Sequence, residues 1–390
     1  MKKAALLLLC GALMFCACQK DNGKDTPSKD AELTGEKVDI SSISTSFTKV
    51  FVLNEGGMGS NNASLDFLRK SDASYVTGTF KKMNPEVAGG LGDVGNDVAV
   101  NGDQLWIIVN NSGIVEVVSA KDETEIAAIQ VPTPRNIAFD DKYAYVTSWA
   151  GAYATYTYNA DLGYSTITDS KNPKGQLYRI DLKTLKVDKQ VEVGYQPEGV
   201  ACYGGKIYVA NSGGISSQLP PNYSYDNTVS IIDAASFTVS ATVQAVINMK
   251  YAFSDGKGLV YLSTFGDYYS VHSGLYALNT ADTKVTKMGD YASVAAIKDG
   301  TVYCIGNENE FDYTAAAKWK TWKCSNGSTG AWNPGLEGAT PYGICVLDAD
   351  NVLIGDAGDY FNPGTVSLYS KGAKAWSVNA GVCPGHFAIY

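Results

Sequence analysis

The stretch Gln196-Pro197-Glu198-Gly199-Val200-Ala201-Cys202 opens the pattern that decides the fold. After a turn comes Lys206-Ile207-Tyr208-Val209-Ala210-Asn211-Ser212-Gly213, and a long polar loop then leads to Thr228-Val229-Ser230-Ile231-Ile232-Asp233 and to residues 238–246. Apolar and polar residues alternate in these segments, and Gly, Asn, Asp and Ser separate them, which is typical of short antiparallel strands. This part of the chain therefore predicts a four-stranded unit.

The same order of strands returns along the chain. One further unit runs through 133–139, 143–146, 175–181 and 186–193, and another begins at 96–100. Second strands recur in seven places: besides 143–146 and 206–213 they are 49–57, 105–110, 259–262, 301–304 and 351–354. Repeated four-stranded units of this length are typical of propeller blades. The sequence predicts an all-β protein, a seven-bladed β-propeller.

The two ends of the repeat pattern are complementary. The segment 49–57 matches the second strand of the repeat, but no segment that matches a first strand precedes it. The last segment, Cys383-Pro384-Gly385-His386-Phe387-Ala388-Ile389-Tyr390, is similar to 196–202 but has no second strand after it. We expect the C-terminal strand to pair into the N-terminal blade and close the ring, which removes exposed sheet edges.

The N-terminal residues read as a lipoprotein signal. Lys2 and Lys3 precede the apolar run 4–15, which is too short to span a bilayer, and Ala17-Cys18 supplies a small residue before a cysteine. The prediction is a signal peptide at 1–17, a flexible tether at 18–47 lipidated at Cys18, and a propeller at 48–390. An ordinary cleaved signal with free cysteines is the alternative.

Aromatic residues are interleaved with Asn, Ser, Asp and Gly in the long loops that follow the second strands. This composition is typical of recognition surfaces, because the rings give rigid contact area and the small polar residues give hydrogen bonds. Packing of the loops against one another is the alternative for any single ring. The predicted ligand contacts are Trp149, Tyr153, Tyr156, Tyr158, Tyr223, Tyr225, Tyr268, Tyr269, Phe311, Tyr360 and Phe361.

Polar residues end several second strands where the chain reaches that face. We expect Asn54, Asn110 and Asn211 to surround the channel mouth and to contact the ligand. Satisfying backbone groups at the strand ends is an equally good explanation for each of them. No sequence motif indicates a metal site.

The sequence favours binding over catalysis. Its two histidines, His272 and His386, are too few for a His-rich metal site, and neither GxSxG nor HExxH occurs. Carboxylates such as Asp267 with Glu308 or Glu310 leave a lyase or hydrolase as the less favoured alternative. A formal charge of −9 without basic clusters argues against nucleic-acid binding.

Cysteine spacing adds little to the functional prediction. Outside the signal and the lipidation site the sequence has no CxxC pair, which argues against structural zinc. Cys304 and Cys324 are expected on neighbouring strands of the sixth blade, and the sequence leaves open whether they form a disulfide.

The blade pattern resembles that of YncE-type seven-bladed propellers. With the lipoprotein signal, Gln19-Lys20-Asp21 after it and the Tyr-rich loops, the chain resembles more closely the BtuG surface lipoproteins of gut Bacteroidetes. The resemblance covers residues 49–390. It implies a lipid-anchored outer-membrane protein facing the cell exterior, which binds cobalamin (or other corrinoids) as a transported ligand rather than a cofactor. It also implies delivery to a TonB-dependent outer-membrane transporter.

Two other functions are compatible with the same loops. The first is a glycan-binding surface propeller, which should present its aromatic rings in a row for stacking. The second, less favoured, is a propeller lyase or hydrolase, which needs a convergent acid, base and metal at the channel.

The lipid anchor can be tested by replacing its cysteine. Cys18→Ala should remove the acylation site, so that the protein leaves the membrane fraction or accumulates unprocessed. Cell fractionation combined with intact mass measurement checks this. If the variant stays in the membrane fraction and still carries the added mass of the lipid, another residue anchors the chain.

Overall fold

In this computed structural model the described residues are 32–150, 155–159, 164–169, 174–213, 225–336 and 338–390. Their strands form seven antiparallel sheets arranged as the blades of a ring, together with one extra hairpin. The prediction of an all-β, seven-bladed β-propeller is confirmed.

The strands are numbered in chain order. Those of the first three blades are β1 (Glu36–Lys37), β2 (Lys49–Asn54), β3 (Ser64–Arg69), β4 (Ser74–Val76), β5 (Gly95–Asn101), β6 (Gln104–Val109), β7 (Ile114–Ser119), β8 (Glu125–Gln130), β9 (Pro134–Phe139), β10 (Tyr143–Ser148), β11 (Thr155–Asn159), β12 (Tyr164–Asp169), β13 (Gln176–Asp181) and β14 (Lys186–Glu192). A short helix, α1 (Thr79–Met83), connects β4 to β5.

The remaining strands build the other four blades and close the ring. They are β15 (Pro197–Tyr203), β16 (Lys206–Asn211), β17 (Thr228–Asp233), β18 (Thr238–Gln244), β19 (Met249–Ser254), β20 (Leu259–Thr264), β21 (Gly274–Asn279), β22 (Val285–Asp290), β23 (Val294–Lys298), β24 (Thr301–Asn307), β25 (Trp319–Ser325), β26 (Ser328–Ala331), β27 (Pro341–Val346), β28 (Asn351–Asp356), β29 (Pro363–Ser370), β30 (Ala373–Val382) and β31 (Pro384–Ile389).

Each blade runs outwards from an innermost strand beside the channel. Blade 2 is β5 to β8, blade 3 is β9, β10, β13 and β14, and blades 4 to 7 use four consecutive strands each from β15 to β30. The hairpin of β11 and β12 is inserted in blade 3 between its second and third strands. No helix in the described part of the chain has the length and apolar character needed to cross a membrane.

Blade 1 joins the two ends of the chain. Its order is β1, β4, β3, β2 and β31, so the C-terminal strand is the innermost strand of the N-terminal blade. The antiparallel register runs from Val50 opposite Ile389 to Asn54 opposite Pro384. The Tyr390 amide also donates to the Lys49 carbonyl over 2.9 Å. The predicted closure of the ring is confirmed.

Apolar contacts between neighbouring blades form the core. Seven buried clusters correspond to the seven pairs of adjacent blades in the described residues. Between blades 1 and 2, for example, Phe51 and Leu53 pack with Leu105 and Ile107. Because each sheet buries both faces, apolar residues occupy both sides of the second and third strands, and removal of one blade would expose two clusters.

Glycine is required where the inner strands converge on the channel. A Cβ atom on Gly343 would lie 2.2 Å from the carbonyl oxygen of Gly385, and one on Gly199 would lie 2.2 Å from the amide nitrogen of Ala252. Real Cβ atoms do not approach backbone so closely, so a side chain here would force neighbouring blades apart. This explains why glycine occurs at the same position of two first-strand sequences, as Gly199 and as Gly385.

The segment before the first blade differs from the predicted tether. Val38, Ile40 and Ile43 pack against the cluster between blades 7 and 1, and the Trp376 indole donates to the Asp39 carbonyl over 2.7 Å. β1 adds a fifth strand to blade 1. The tether predicted to extend to residue 47 is therefore too long, because these apolar side chains gain buried contacts with blade 7.

The closing strand should dominate stability. Deleting residues 385–390 from a domain that starts at Leu33 removes the inner strand of blade 1 and opens two apolar clusters, so we expect aggregation or a loss far beyond the roughly 1 kcal/mol of a typical point change. A domain that starts at Val38 is the control, since it loses only the outermost strand of the same sheet. Thermal unfolding that is equal for the two truncations would contradict the role of β31.

Candidate functional site

A repeated backbone irregularity places side chains at the mouth of the channel. The register shifts near the start of the inner strand in blades 2, 3, 4, 5 and 7. Such β-bulges re-aim side chains. The residues at these shifts include Asn96, Arg135, Glu198, Lys250 and Tyr342, and all five line one cavity of about 190 Å³, which we call the channel mouth.

An ion pair crosses one side of the channel mouth. Arg135 Nε lies 3.0 Å from both carboxylate oxygens of Glu198, and the guanidinium carbon lies 4.3 Å from the centroid of the Trp149 ring. Burial raises the pKa of Glu198, although Arg135 opposes that shift. The pair therefore holds a desolvated carboxylate in one position.

Three aromatic rings surround the ammonium group of Lys250. Its Nζ lies 4.7 Å from the ring centroid of Tyr251, 4.9 Å from that of Phe265 and 5.7 Å from that of Tyr342. Burial acts to lower the pKa of Lys250, but Tyr251, Glu55 and Glu198 outweigh it and the pKa is raised. The channel mouth thus keeps a charged ammonium among aromatic faces.

Two further groups complete the polarity of the channel mouth. The Tyr342 hydroxyl donates a hydrogen bond to the Glu55 carboxylate. Burial, with Lys250 and Arg135 nearby, lowers the pKa of His386 to about 3, so this imidazole is neutral near neutral pH.

The channel continues below its mouth as a cavity of about 330 Å³. Asp97 lies on its wall and accepts hydrogen bonds from the amides of Val98 (2.9 Å) and Ile137 (3.0 Å). Burial nevertheless raises the pKa of Asp97 to about 7. A carboxyl that accepts two amides can therefore exchange a proton near neutral pH.

Exposed hydrophobic side chains are concentrated on the face at which the channel mouth opens. Of the exposed large hydrophobic side chains in the described residues, three lie instead on the outer strands of their blades: Ile126, Val187 and Val239. In the described residues eight lie on connections at this face, which we call the aromatic loop face: Met58, Tyr195, Tyr268, Tyr269, Val271, Tyr313, Tyr360 and Phe361. Six of the eight come from blades 5, 6 and 7, which gives the face a continuous amphipathic arc.

The loops of this arc contact one another. The Tyr313 hydroxyl donates to the Tyr268 carbonyl over 3.2 Å, joining blades 5 and 6. Tyr360 meets Tyr342 edge to face at 5.8 Å, which connects the blade 7 loop to the channel mouth. A second cavity of about 270 Å³ lies between these loops, with Lys250, Phe265, Phe311 and Tyr360 among its lining residues.

A histidine–carboxylate pair lies beside this second cavity. His272 Nδ1 lies 2.6 Å from Glu310 Oε1, and the same oxygen accepts the Ser273 amide over 3.0 Å. The imidazole stacks on Phe311 at 4.4 Å and contacts Tyr291 at 4.8 Å. The ring is therefore held in one orientation on the aromatic loop face.

The predicted aromatic contacts divide into three groups. Tyr268, Tyr269, Tyr360 and Phe361 are exposed on the aromatic loop face, with Phe361 86% exposed. Phe311 is half-buried against His272, Tyr225 is half-buried, and Trp149 is buried under Arg135. Outside the described residues lie Tyr153 and Tyr223, together with the side chains of Tyr156 and Tyr158 on β11.

The three predicted asparagines are buried and do not reach the channel mouth. Asn54 donates to Ser64 and Asp66, Asn110 donates to the Pro134 carbonyl, and Asn211 donates to Thr228 and Ser230. Each amide is thus used to join strands or blades, as the structural explanation of these residues requires. Their predicted position around the channel mouth is corrected, because all three side chains are shielded from solvent.

Sequence reasoning missed the charged residues of the channel mouth. Arg135, Glu198 and Lys250 come from equivalent places at the start of successive inner strands. The sequence does mark these residues: they occupy the same position in the repeat, just after the turn into each first strand, and the residue type there differs from blade to blade. Met58 and Tyr313 were also missed, although they belong to the same exposed loops.

The cysteines and carboxylates of the described residues add no further centre. Cys304 and Cys324 are free, since Cys304 lies opposite Trp322 and Cys324 opposite Val302 on the neighbouring strand. No three His, Cys, Asp or Glu side chains in the described ranges are grouped closely enough to hold a metal ion.

Comparisons with known proteins identify the fold. No family model and no curated protein matches the chain. Among solved structures, an acylaminoacyl peptidase of Pyrococcus horikoshii matches with a TM-score of 0.52 and 13% identity, over 87% of this chain and 51% of that one. At this identity the likeness shows the propeller fold alone, and the chain spans about half of the peptidase.

Two other solved structures match more weakly. Hydrazine synthase of Kuenenia stuttgartiensis has a TM-score of 0.42 and 13% identity, over 90% of this chain and 93% of that one. Apo AztD of Citrobacter koseri has a TM-score of 0.48 and 9% identity, over 88% and 97% respectively. The described residues together form a β-propeller whose aromatic loop face surrounds a polar channel mouth.

The raised pKa of the Asp97 carboxyl predicts that the stability of the protein depends on pH. The pKa of Asp97 is raised from 3.8 to about 7, so its contribution to stability is complete below the unfolded value and is lost as pH rises towards 7. The unfolding free energy of Asp97→Asn relative to wild type should therefore increase by a few kcal/mol between about pH 4 and 7.

Urea unfolding across that range measures the effect. Asp103→Asn is the control, because a hydrogen bond from Lys121 lowers the pKa of this exposed carboxyl and its replacement should give no such increase. A difference between Asp97→Asn and wild type that stays constant with pH would contradict the raised pKa.

Proposed function

We propose that this protein captures a corrinoid such as cobalamin on the aromatic loop face and passes it to a TonB-dependent outer-membrane transporter. The observation that carries the proposal is the concentration of exposed aromatic side chains around the polar channel mouth. A surface of this kind suits a ligand that is broad, partly apolar and rich in hydrogen-bonding groups.

The chemistry of a corrinoid matches the two parts of this surface. Its flat ring system offers apolar area to Tyr269 and Phe361, which are 68% and 86% exposed. Its peripheral amides can hydrogen-bond with the tyrosine hydroxyls and with polar groups at the channel mouth. Because the exposed rings come from several blades, the contacts should be distributed rather than confined to one loop.

The charged groups at the channel mouth favour binding over catalysis. Arg135 is paired with Glu198, and Tyr342 is hydrogen-bonded to Glu55. Groups fixed in this way are suited to orienting a ligand with little loss of entropy on binding. An acid–base mechanism would instead use a carboxyl free to approach the reacting bond.

The sequence resemblance supports the location and the transfer step. The lipoprotein signal at 1–17 and Gln19-Lys20-Asp21 after Cys18 are those expected of a surface lipoprotein. A tether on the membrane side would hold the propeller close to a transporter while leaving the aromatic loop face accessible.

Calorimetry with cyanocobalamin tests the proposed ligand. Tyr269→Ala and Phe361→Ala should each weaken binding by about 1–3 kcal/mol, because each removes an exposed ring from the proposed contact area. Val239→Ala is the matched control, since Val239 is also exposed but lies on the outer strand β18. We expect its affinity to equal that of wild type.

Two outcomes would contradict the proposal in different ways. If cyanocobalamin does not bind at millimolar concentration, the corrinoid function is wrong, and oligosaccharides become the next ligands to screen. If it binds and both aromatic variants keep wild-type affinity, the ligand is correct but its site lies elsewhere on the propeller.

A further inference from the structure

The hydrogen bond between His272 and Glu310 determines which imidazole nitrogen is available. Nδ1 lies 2.6 Å from the carboxylate. Because a carboxylate only accepts hydrogen bonds, the proton is assigned to Nδ1. The lone pair of the neutral ring is then on Nε2. Among the described residues no hydrogen-bond partner of Nε2 is found, and the side chain is 35% exposed on the aromatic loop face.

This arrangement is one in which proteins present histidine to a transition metal. A carboxylate on the other ring nitrogen fixes the tautomer and makes the free nitrogen a better ligand. Here Glu310 is itself held by the Ser273 amide, and the ring is confined by Phe311 and Tyr291. The orientation of the imidazole is therefore set before any ligand arrives.

The number of protein atoms available to coordinate a metal beside His272 indicates which kind of metal centre could bind there. Glu310 is committed to orienting the ring, and Asp267 nearby accepts the amides of Tyr269, Ser270 and Val271. One remaining nitrogen cannot hold a free ion, which needs three or four protein ligands. It can, however, take an axial position on a metal already bound by the four ring nitrogens of a tetrapyrrole.

We propose that His272 is an axial ligand to the cobalt of the captured corrinoid. The inference rests on the proposed function and extends it to a preference for corrinoids with an exchangeable axial position. The step is a substitution: the cobalt–water bond of aquocobalamin breaks, water leaves, and the Nε2 lone pair forms the cobalt–nitrogen bond. The oxidation state of cobalt does not change.

Absorption spectroscopy of aquocobalamin with the purified full chain tests the new bond. Binding to wild type should shift the corrinoid absorption bands, because imidazole replaces water on cobalt. His272→Asn is the chosen variant, since its amide can still donate to Glu310 in place of Nδ1 but offers no Nε2. We expect this variant to show no spectral shift and at least about tenfold weaker binding of aquocobalamin.

Glu310→Gln separates positioning from ligation. It keeps a side chain of the same size but removes the negative charge that orients and polarises the imidazole. Affinity for aquocobalamin should fall about tenfold while a reduced spectral shift remains. Unfolding temperatures of both variants, compared with wild type, establish that the propeller is intact.

Cyanocobalamin distinguishes failure of this inference from failure of the proposed function. Its cyanide is held firmly, so its affinity should be the same for wild type and His272→Asn. If wild type binds both corrinoids with no spectral shift, or if His272→Asn binds aquocobalamin as well as wild type, axial ligation is overturned and corrinoid capture remains. If neither corrinoid binds, both are overturned.

Haemin provides a second arm, because iron protoporphyrin also offers an axial position. We expect it to bind more weakly than aquocobalamin. Binding of haemin that depends on His272, in the absence of corrinoid binding, would overturn the assignment to cobalt.

Discussion

The antiparallel pairing of β31 with β2 is the contact on which the rest of the structure depends. Each blade has two apolar faces, so each needs a neighbour on both sides. Without β31 the first blade would lose its inner strand and Ala388 and Phe387 would leave the clusters with blades 2 and 7. Closure also fixes the diameter of the ring. It thereby brings side chains from six different blades to one channel mouth.

The channel mouth shows how a rigid frame can hold groups that would otherwise be unfavourable. Burial disfavours the charges of Glu198 and Lys250, yet Arg135 and the surrounding aromatic rings stabilise them in place. In the proposed function, binding would not need to order these side chains again, because their contacts already hold them. The entropy cost of the proposed binding would then come mainly from ordering the exposed rings of the aromatic loop face.

Much of this could be predicted from sequence, and the exceptions have physical causes. Period-two alternation and the displaced first strand predict the blades and the closure, and the composition of the long loops predicts that rings such as Tyr269 and Phe361 lie exposed on one face. The bulged residues Arg135 and Lys250 were missed because one extra residue in a strand changes the direction in which a side chain points. Asn54 was misplaced because an amide at a strand end bonds across to the next strand. The packing of the segment before blade 1 against blade 7 was missed, because apolar residues such as Val38 and Ile40 are too few there to form a recognisable pattern.

Hydrogen–deuterium exchange with and without cyanocobalamin tests the central claim, that the aromatic loop face is the capture surface, most directly. Exchange reports the protection of each backbone segment, so it locates the ligand without altering any residue. The account predicts slower exchange in the loops 265–273, 308–318 and 357–362, and unchanged exchange in the turns on the opposite face of the ring. Protection confined to the opposite turns, or none in these three loops when the ligand is bound, would contradict it.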